Sequence, residues 1–401
     1  MTVRVLETPD SDGGGRRRGG GKARAAANHL LLAAACLPTA CLSSAFAQTP
    51  PQAQQQTAQQ TTADRLIAHG HYLRAWPLVK AQLAKNPKDI PALVDEATLQ
   101  WAFNHTNAFL AGARKAVAAD EASAAAHAQV ANALGWELAN STSSFITKLG
   151  AATEYRKEVG RTLQLDPNNT DELRGLAEYE WHAPGIAGGD KAKAQQEAEK
   201  LMRIDPERGY ELKAEFAAGN GDKSGAKAEV EAVWKQAVAA LPSSYRAHAG
   251  LAEAYLDEGG QKLALAEQEA DKAAAIDPTR VAAYRVLAEV DAMQGKWADL
   301  EQVLKRARAE VPDDLSPEYQ AARLIVEGNV EAQMGRAEGY LRDYMNQPAE
   351  GQEPTLAAAH WRLGLVLERQ GRKGEAVNEV QTAANLDGSL DGAKKDLKRM
   401  R

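Results

Sequence analysis

The chain repeats itself with a period in the mid-thirties, and this period constrains the fold more than any other feature. From Asp64 onward, two-residue signals ending in proline recur, and glycine takes the proline place in the last: Asn86-Pro87, Asp166-Pro167, Asp205-Pro206, Leu241-Pro242, Asp277-Pro278, Val311-Pro312 and Asp387-Gly388. Between Pro167 and Pro312 the intervals are 39, 36, 36 and 34 residues. Proline cannot donate the next helical hydrogen bond, so each signal is expected to end a helix. The period therefore predicts helix-turn-helix units that stack along one axis.

The residues within a period are of the kind that closely paired helices need. In two well-matched windows, small residues stand at the eighth and twenty-seventh places and glycine lies in the turn: Ala288, Ala307 and Gly295 in one, Gly364, Ala383 and Gly371 in the other. Small side chains let two helices approach each other, and glycine accepts the positive φ of a tight turn. We therefore expect each unit to be a tightly packed helical hairpin.

These positions resemble the tetratricopeptide repeat family, whose pattern is W-x2-L-G-x2-Y followed by G, A, F, A and P. One of the best matches runs through Leu287, Ala288, Gly295, Ala307 and Pro312. The resemblance is to family members of an exported bacterial type. It implies an all-α, right-handed superhelical solenoid of about nine tetratricopeptide-like repeats over residues 64–388, followed by a C-terminal capping helix over residues 389–401.

The resemblance also implies a binding face. The family binds peptides on the concave surface, through the second, fifth, ninth and twelfth places of each repeat. In this sequence, the places that carry candidate partner-binding residues are Asp171, Arg174, Glu178, Trp181, Arg285, Glu289 and Trp361. Arg174 and Glu178, like Arg285 and Glu289, are also spaced as ion pairs within one helix, so a purely structural role for these four stays open.

The first 63 residues have the pattern of an export signal and a tether. A basic leader precedes an apolar run over residues 30–42, and Ala45-Phe46-Ala47 is typical of a cleavage site between Ala47 and Gln48. Residues 1–47 are therefore predicted to be a signal peptide, and the Gln/Thr/Pro-rich residues 48–63 a flexible linker. A membrane anchor is the alternative, but Pro38 and Thr39 interrupt the apolar run. We expect a periplasmic or secreted protein without an integral membrane span after cleavage.

Several classes of function are disfavoured. A formal net charge of −6 argues against a nucleic-acid binder. The sequence has neither a G-x-S-x-G nor an H-E-x-x-H motif, so we predict no catalytic residues. His69 and His71 form an H-x-H pair without a third ligand nearby, so we expect exposed turn histidines and no metal. The sequence implies no cofactor.

A stacked helical array offers a long continuous surface, which suits protein partners. We therefore predict a non-catalytic scaffold of the bacterial cell envelope, which binds a peptide or helix of a partner protein. A glycan or peptidoglycan binder that uses Trp181, Trp361 and the loop 182–190 is the alternative, and a hydrolase is less favoured. Two insertions depart from the period, at 182–194 and at 346–354. The first is expected to be a structural or partner-contact loop, with Asp190 capping a helix, and the second a surface loop.

Overall fold

The structure is a computed structural model that describes residues 62–140, 145–219, 223–352 and 354–401. They belong to one compact unit of the chain. All regular secondary structure in these ranges is helical, as predicted. The predicted signal peptide, its cleavage site at Ala47 and Gln48, and most of the linker lie outside the described residues. Residues 62 and 63, which we assigned to the linker, belong to a helix.

Nineteen helices follow one another in the described ranges. They are α1 (62–68), α2 (Tyr72–Lys85), α3 (Ile90–Ala102), α4 (Thr106–Ala119), α5 (Ala124–Asn140), α6 (Phe145–Leu165), α7 (Thr170–His182), α8 (Lys191–Ile204), α9 (Pro206–Ala218), α10 (Lys223–Ala240), α11 (Tyr245–Glu258), α12 (Leu263–Ile276), α13 (Val281–Gln294), α14 (Trp297–Glu310), α15 (Ser316–Glu327), α16 (Met334–Met345), α17 (Leu356–Arg369), α18 (Lys373–Leu386) and α19 (Asp391–Met400).

The helices pair as consecutive hairpins. Each odd-numbered helix from α3 to α17 contacts the even-numbered helix that follows it, and it also contacts the next odd-numbered helix. Apolar residues of α1 and α2 share one cluster, so these two helices form the first hairpin. The described ranges thus contain nine hairpins followed by α19. We call the odd-numbered helices, including α19, the first helices and the even-numbered helices up to α18 the second helices.

Asp205-Pro206 differs from the other helix-ending signals. At Pro87, Pro167, Pro242, Pro278 and Pro312, a short turn separates one helix from the next. Asp205, in contrast, ends α8 through its backbone N–H, which bonds to Leu201, and its side chain accepts the N–H of Arg208 at the start of α9. Pro206 is the first residue of α9, where its missing N–H has no cost. The prediction that this proline only ends a helix was therefore incomplete.

The last helix covers the end of the array. Ala393 of α19 is buried against Val380 and Ala383 of α18, and Leu397 and Met400 pack at the edge of the same cluster. Lysines and arginines occupy much of the rest of α19. A polar outer face of this kind is what a terminal repeat requires for solubility.

At Gly364, the two helices of one hairpin approach each other closely. A Cβ at Gly364 would stand 2.4 Å from Cγ2 of Val380 and 3.0 Å from the carbonyl oxygen of Ala376 on the facing helix. This confirms why the eighth place is small. We expect Gly364→Ala to lower the free energy of unfolding by about 1–3 kcal/mol, because α17 and α18 must move apart. Gly374→Ala is the control for urea unfolding, since its Cβ would meet nothing within 4 Å. Equal effects of the two substitutions would contradict the packing argument.

Candidate partner-binding surface

A row of arginines connects the seven first helices from α7 to α19. Each arginine from α9 onward forms an ion pair with a carboxylate on the preceding first helix. We call this set the arginine ladder. Its pairs are Arg208–Asp171, Arg246–Glu211, Arg285–Glu253, Arg323–Glu289, Arg362–Glu327 and Arg399–Glu368. The ladder runs across the face of the first helices from α7 to α19.

The later pairs of the ladder have ordinary ion-pair geometry. Nη2 of Arg285 lies 2.7 Å from Oε1 of Glu253, and Nη2 of Arg323 lies 2.9 Å from Oε2 of Glu289. Arg399 is bidentate, with nitrogen–oxygen distances to the Glu368 carboxylate of 2.6 and 2.7 Å. The planar guanidinium suits such two-point recognition of carboxylates. The ladder therefore links neighbouring hairpins through side chains as well as through the core.

Arg174 on α7 is the most enclosed arginine of this face. Its Nε lies 2.7 Å from Oε1 of Glu178, its Nη1 lies 2.8 Å from Oε2 of Glu211, and its Nη2 contacts Glu215. Only 11% of its side chain is exposed. Burial lowers the pKa of Arg174, but the charges of Glu215, Glu211 and Glu178 outweigh burial and raise it overall. Arg174 therefore stays charged and joins α7 to α9.

The predicted ion pairs are only partly those that form. The pair within α7, between Arg174 and Glu178, is confirmed. Arg285 and Glu289 instead make their close ion pairs with neighbouring helices, Arg285 with Glu253 on α11 and Glu289 with Arg323 on α15. Asp171 pairs with Arg208 and keeps an exposed side chain. The spacing along one helix did not reveal these contacts, because their partners lie 32 to 37 residues away.

Of the two tryptophans that we predicted to contact a partner, Trp181 is buried and Trp361 is partly buried. Trp181 is 8% exposed and stacks on Phe216 with a centroid distance of 4.2 Å, while the Lys191 ammonium lies 4.5 Å from the centroid of the indole ring. The indole N–H of Trp361 donates to Asp396 at 2.8 Å, and its ring packs against Gly392 of α19. These contacts disfavour the use of either ring as a platform for sugars.

The insertion at 182–194 is a compact loop. The hydroxyl of Tyr179 donates to the carbonyl of Ala187 at 2.5 Å, and Gly188 adopts a φ of +98° at its tip. Asp190 caps α8 by accepting the N–H groups of Ala192 and Lys193, as predicted. Ile186 remains exposed on this loop. The side-chain and backbone hydrogen bonds explain how the insertion holds its shape.

The prediction for the histidine pair was wrong. His71 is 3% exposed and contacts residues more than two hundred positions away, so it is not an exposed turn histidine. No local pattern in the sequence signals this contact.

In the described part of the chain, no group of three or more histidine, cysteine or acidic residues has an arrangement that could hold a metal ion. Within the same ranges, no helix is long and apolar enough to cross a membrane.

Comparison with known proteins yields matches among solved structures only. No family model and no curated protein matches this chain. The chain is similar to the structure of yeast Tom70, with 13% identity and a TM-score of 0.45, over 87% of this chain and 88% of Tom70. It is also similar to a thermophilic TPR protein of Thermus thermophilus, with 17% identity and a TM-score of 0.42, over 50% of this chain and 99% of that protein.

Proposed function

We propose that the protein is a non-catalytic scaffold that binds a segment of another protein along the face of its first helices. The observation that supports this most is the arginine ladder, which places cations and carboxylates on the seven first helices from α7 to α19. An extended peptide or a helix that lies across this face would meet both charges at regular intervals. Charge complementarity of this kind sets the register and the specificity of a complex.

Parts of the ladder are accessible to a partner. The carboxylates of Asp171, Glu253 and Glu327 keep between 44% and 63% of their side chains exposed while they pair with arginine. An exposed pair of this type contributes little to stability, so a partner can compete for either member at small cost. These three residues are therefore the proposed contact points on α7, α11 and α15.

Site-specific photocrosslinking tests this proposal. A photoreactive residue at position 171, 253 or 327 should yield crosslinks to protein in a bacterial cell-envelope preparation. The same residue at Asp271 or Glu375 should not, although these are similarly exposed acids in ion pairs on second helices. Equal crosslinking from both faces would contradict the assignment of the face. Products that a peptidoglycan hydrolase reduces to nearly the mass of the uncrosslinked protein would favour a glycan ligand.

We further propose that the protein acts in the bacterial cell envelope, in the periplasm or after secretion. The support is the basic leader, the apolar run and the Ala45-Phe46-Ala47 site in the sequence. Sequencing the N-terminus of the protein purified from an envelope fraction checks this proposal. A start at Gln48 is the expected result, and a chain that keeps its leader in the cytoplasm would contradict it.

A further inference from the structure

The turn between α1 and α2 contacts loops that lie far along the chain. Nε2 of His71 lies 2.7 Å from the carbonyl oxygen of Thr279, in the loop between α12 and α13. Nδ1 of His71 lies 3.1 Å from Oδ2 of Asp313, in the loop between α14 and α15. Nε of Arg74 donates to the same Asp313 oxygen at 2.8 Å. The first hairpin is therefore held against the loops that join the sixth, seventh and eighth hairpins, as well as against its own neighbours.

The insertion at 346–354 supplies the helix cap that α2 lacks. His71 precedes α2 but provides no side-chain cap. Oε1 of Glu350 accepts the N–H of Leu73, in the first turn of α2, at 2.8 Å across 277 residues of sequence. The first N–H groups of a helix have no partner within the helix, and a carboxyl group there is favourable. Glu350 thus takes the place of a local capping residue.

The next two residues of the insertion contact the same hairpin region. Nε2 of Gln352 donates to the carbonyl oxygen of Trp101, at the end of α3, at 2.6 Å. Gly351 has a φ of +87°, and a Cβ there would lie 3.4 Å from the ring of Tyr72 and 3.5 Å from the carbonyl oxygen of Ala102. Three consecutive residues therefore contact the start of α2 and the end of α3.

We propose that Glu350, Gly351 and Gln352 form a clasp that closes the first hairpin onto the later repeats, and that this clasp opens while the hairpins stay folded. The buried apolar cluster of α1 and α2 contains residues between Ala63 and Leu99 and none from the loops that the clasp joins. The largest core cluster begins at Ala214. Apart from the contact of Gly351 with the ring of Tyr72, which borders the first cluster, the clasp is made of polar contacts outside the buried residues of both clusters. Polar contacts of this type open locally without global unfolding.

Protons favour the closed clasp. Both ring nitrogens of His71 face oxygen atoms, Nδ1 the Asp313 carboxylate and Nε2 the carbonyl oxygen of Thr279. Oε2 of Glu350 is buried without a partner, and burial, reinforced by Asp313 and Asp314, raises the pKa of Glu350 to about 8 despite the N–H groups of Leu73 and Tyr72. When the clasp opens, this carboxyl returns to water and towards its ordinary pKa. Closing therefore takes up a proton, and it weakens as the pH rises through about 8.

Other groups at the clasp also respond to pH. Burial raises the pKa of Asp314, as it does that of Glu350. Burial raises the pKa of Asp313 too, but the hydrogen bond from His71 and the charge of Arg74 outweigh burial and lower it overall. Burial raises the pKa of Tyr72 above its usual value, with Glu350 and Asp314 adding to the effect. Burial lowers the pKa of His69, although Asp277 partly offsets this, and Arg280 and Arg65 lower it further. Protonation of His69 therefore opposes closing at acidic pH. The clasp should be closed near neutral pH and should open in mild alkali.

Hydrogen exchange of the full chain, followed by mass spectrometry, tests the clasp. Glu350→Ala should speed exchange of the amides of residues 72–76 about fivefold to tenfold at pH 7, because α2 loses its cap. Exchange within α11 to α18 should not change. Glu350→Gln keeps the acceptor and needs no proton to close, so it should match the unsubstituted protein near pH 4.5 and should exchange more slowly than it at pH 7. It should also lose the extra acceleration that the unsubstituted protein shows as the pH rises from about 4.5 to about 8, after correction for intrinsic exchange rates.

Thr355→Ala is the matched control, because Thr355 caps α17 locally and should affect only the start of that helix. Unchanged exchange at residues 72–76 in Glu350→Ala would overturn the proposal. Faster exchange in every hairpin would also overturn it, since opening would then require unfolding. If Glu350→Ala gives no soluble protein, Gln352→Ala removes one donor from the clasp and should speed exchange at the end of α3.

Discussion

Replacing Arg174 by methionine should lower the free energy of unfolding by about 3–5 kcal/mol. Arg174 is the only side chain with close ion pairs to Glu178, Glu211 and Glu215 at once among the residues described, and it is largely buried. Methionine keeps much of the side-chain volume but leaves three carboxylates close together in a poorly solvated place. Breaking such a network costs far more than breaking an exposed pair, because the remaining charges stay desolvated.

Urea unfolding monitored by circular dichroism measures this effect. Arg306→Met is the control, since Arg306 and Asp271 form an exposed pair at 3.5 Å whose loss should cost at most about 1 kcal/mol. Adding Glu215→Gln to Arg174→Met should recover part of the loss, because it removes one of the uncompensated charges. Similar losses for Arg174→Met and Arg306→Met would show that the carboxylates around Arg174 find other compensation.

Glu172→Gln should change the pH dependence of stability. Glu172 is 1% exposed, and its Oε2 is buried without a hydrogen-bond partner. Burial, with the nearby charges of Asp171 and Glu158, raises the pKa of Glu172 to about 8. The folded protein therefore holds a proton that the unfolded chain releases near pH 4.5, and the stability contributed by this group falls as the pH rises from about 4.5 to 8.

Glutamine resembles the protonated carboxyl and cannot ionise. The free energy of unfolding of Glu172→Gln, relative to the unsubstituted protein, should therefore rise by a few kcal/mol between about pH 4 and pH 9, at about 1.4 kcal/mol per unit of pKa difference. The N-terminus of α7 favours the ionised form and will reduce this gain. Glu154→Gln, on an exposed position of α6, should show no such trend. A constant difference across the pH range would contradict the assignment.

The hairpins were predictable because their determinants are local. The period, the turn glycines and the small eighth place all act within one unit, and Gly364 shows how directly a missing Cβ sets the helix separation. The arginine ladder left a weaker trace in the sequence. Its arginines recur at intervals of 37 to 39 residues, from Arg208 to Arg399, and that regularity alone marked them as equivalent positions.

The contacts of the clasp correspond to no regular pattern in the sequence. Glu350 and Leu73 are separated by 277 residues, and nothing in the segment NQPAEGQEP indicates which helix terminus its carboxyl group would meet. The burial of His71 depends on the same long-range contact. Contacts between distant repeats depend on the rotation that accumulates over all the hairpins between them. The pattern within one repeat does not contain this rotation.

The shared residue between α8 and α9 makes this junction stiff. Asp205 serves both helices, so the φ and ψ of this single extended residue set the angle between them, whereas four residues separate the helices at Pro278. A single residue added here would turn all later hairpins by about 100° relative to the earlier ones if it continued either helix. Bending of the array is therefore expected at its longer turns. The alignment of the hairpins before this junction with those after it depends on Asp205.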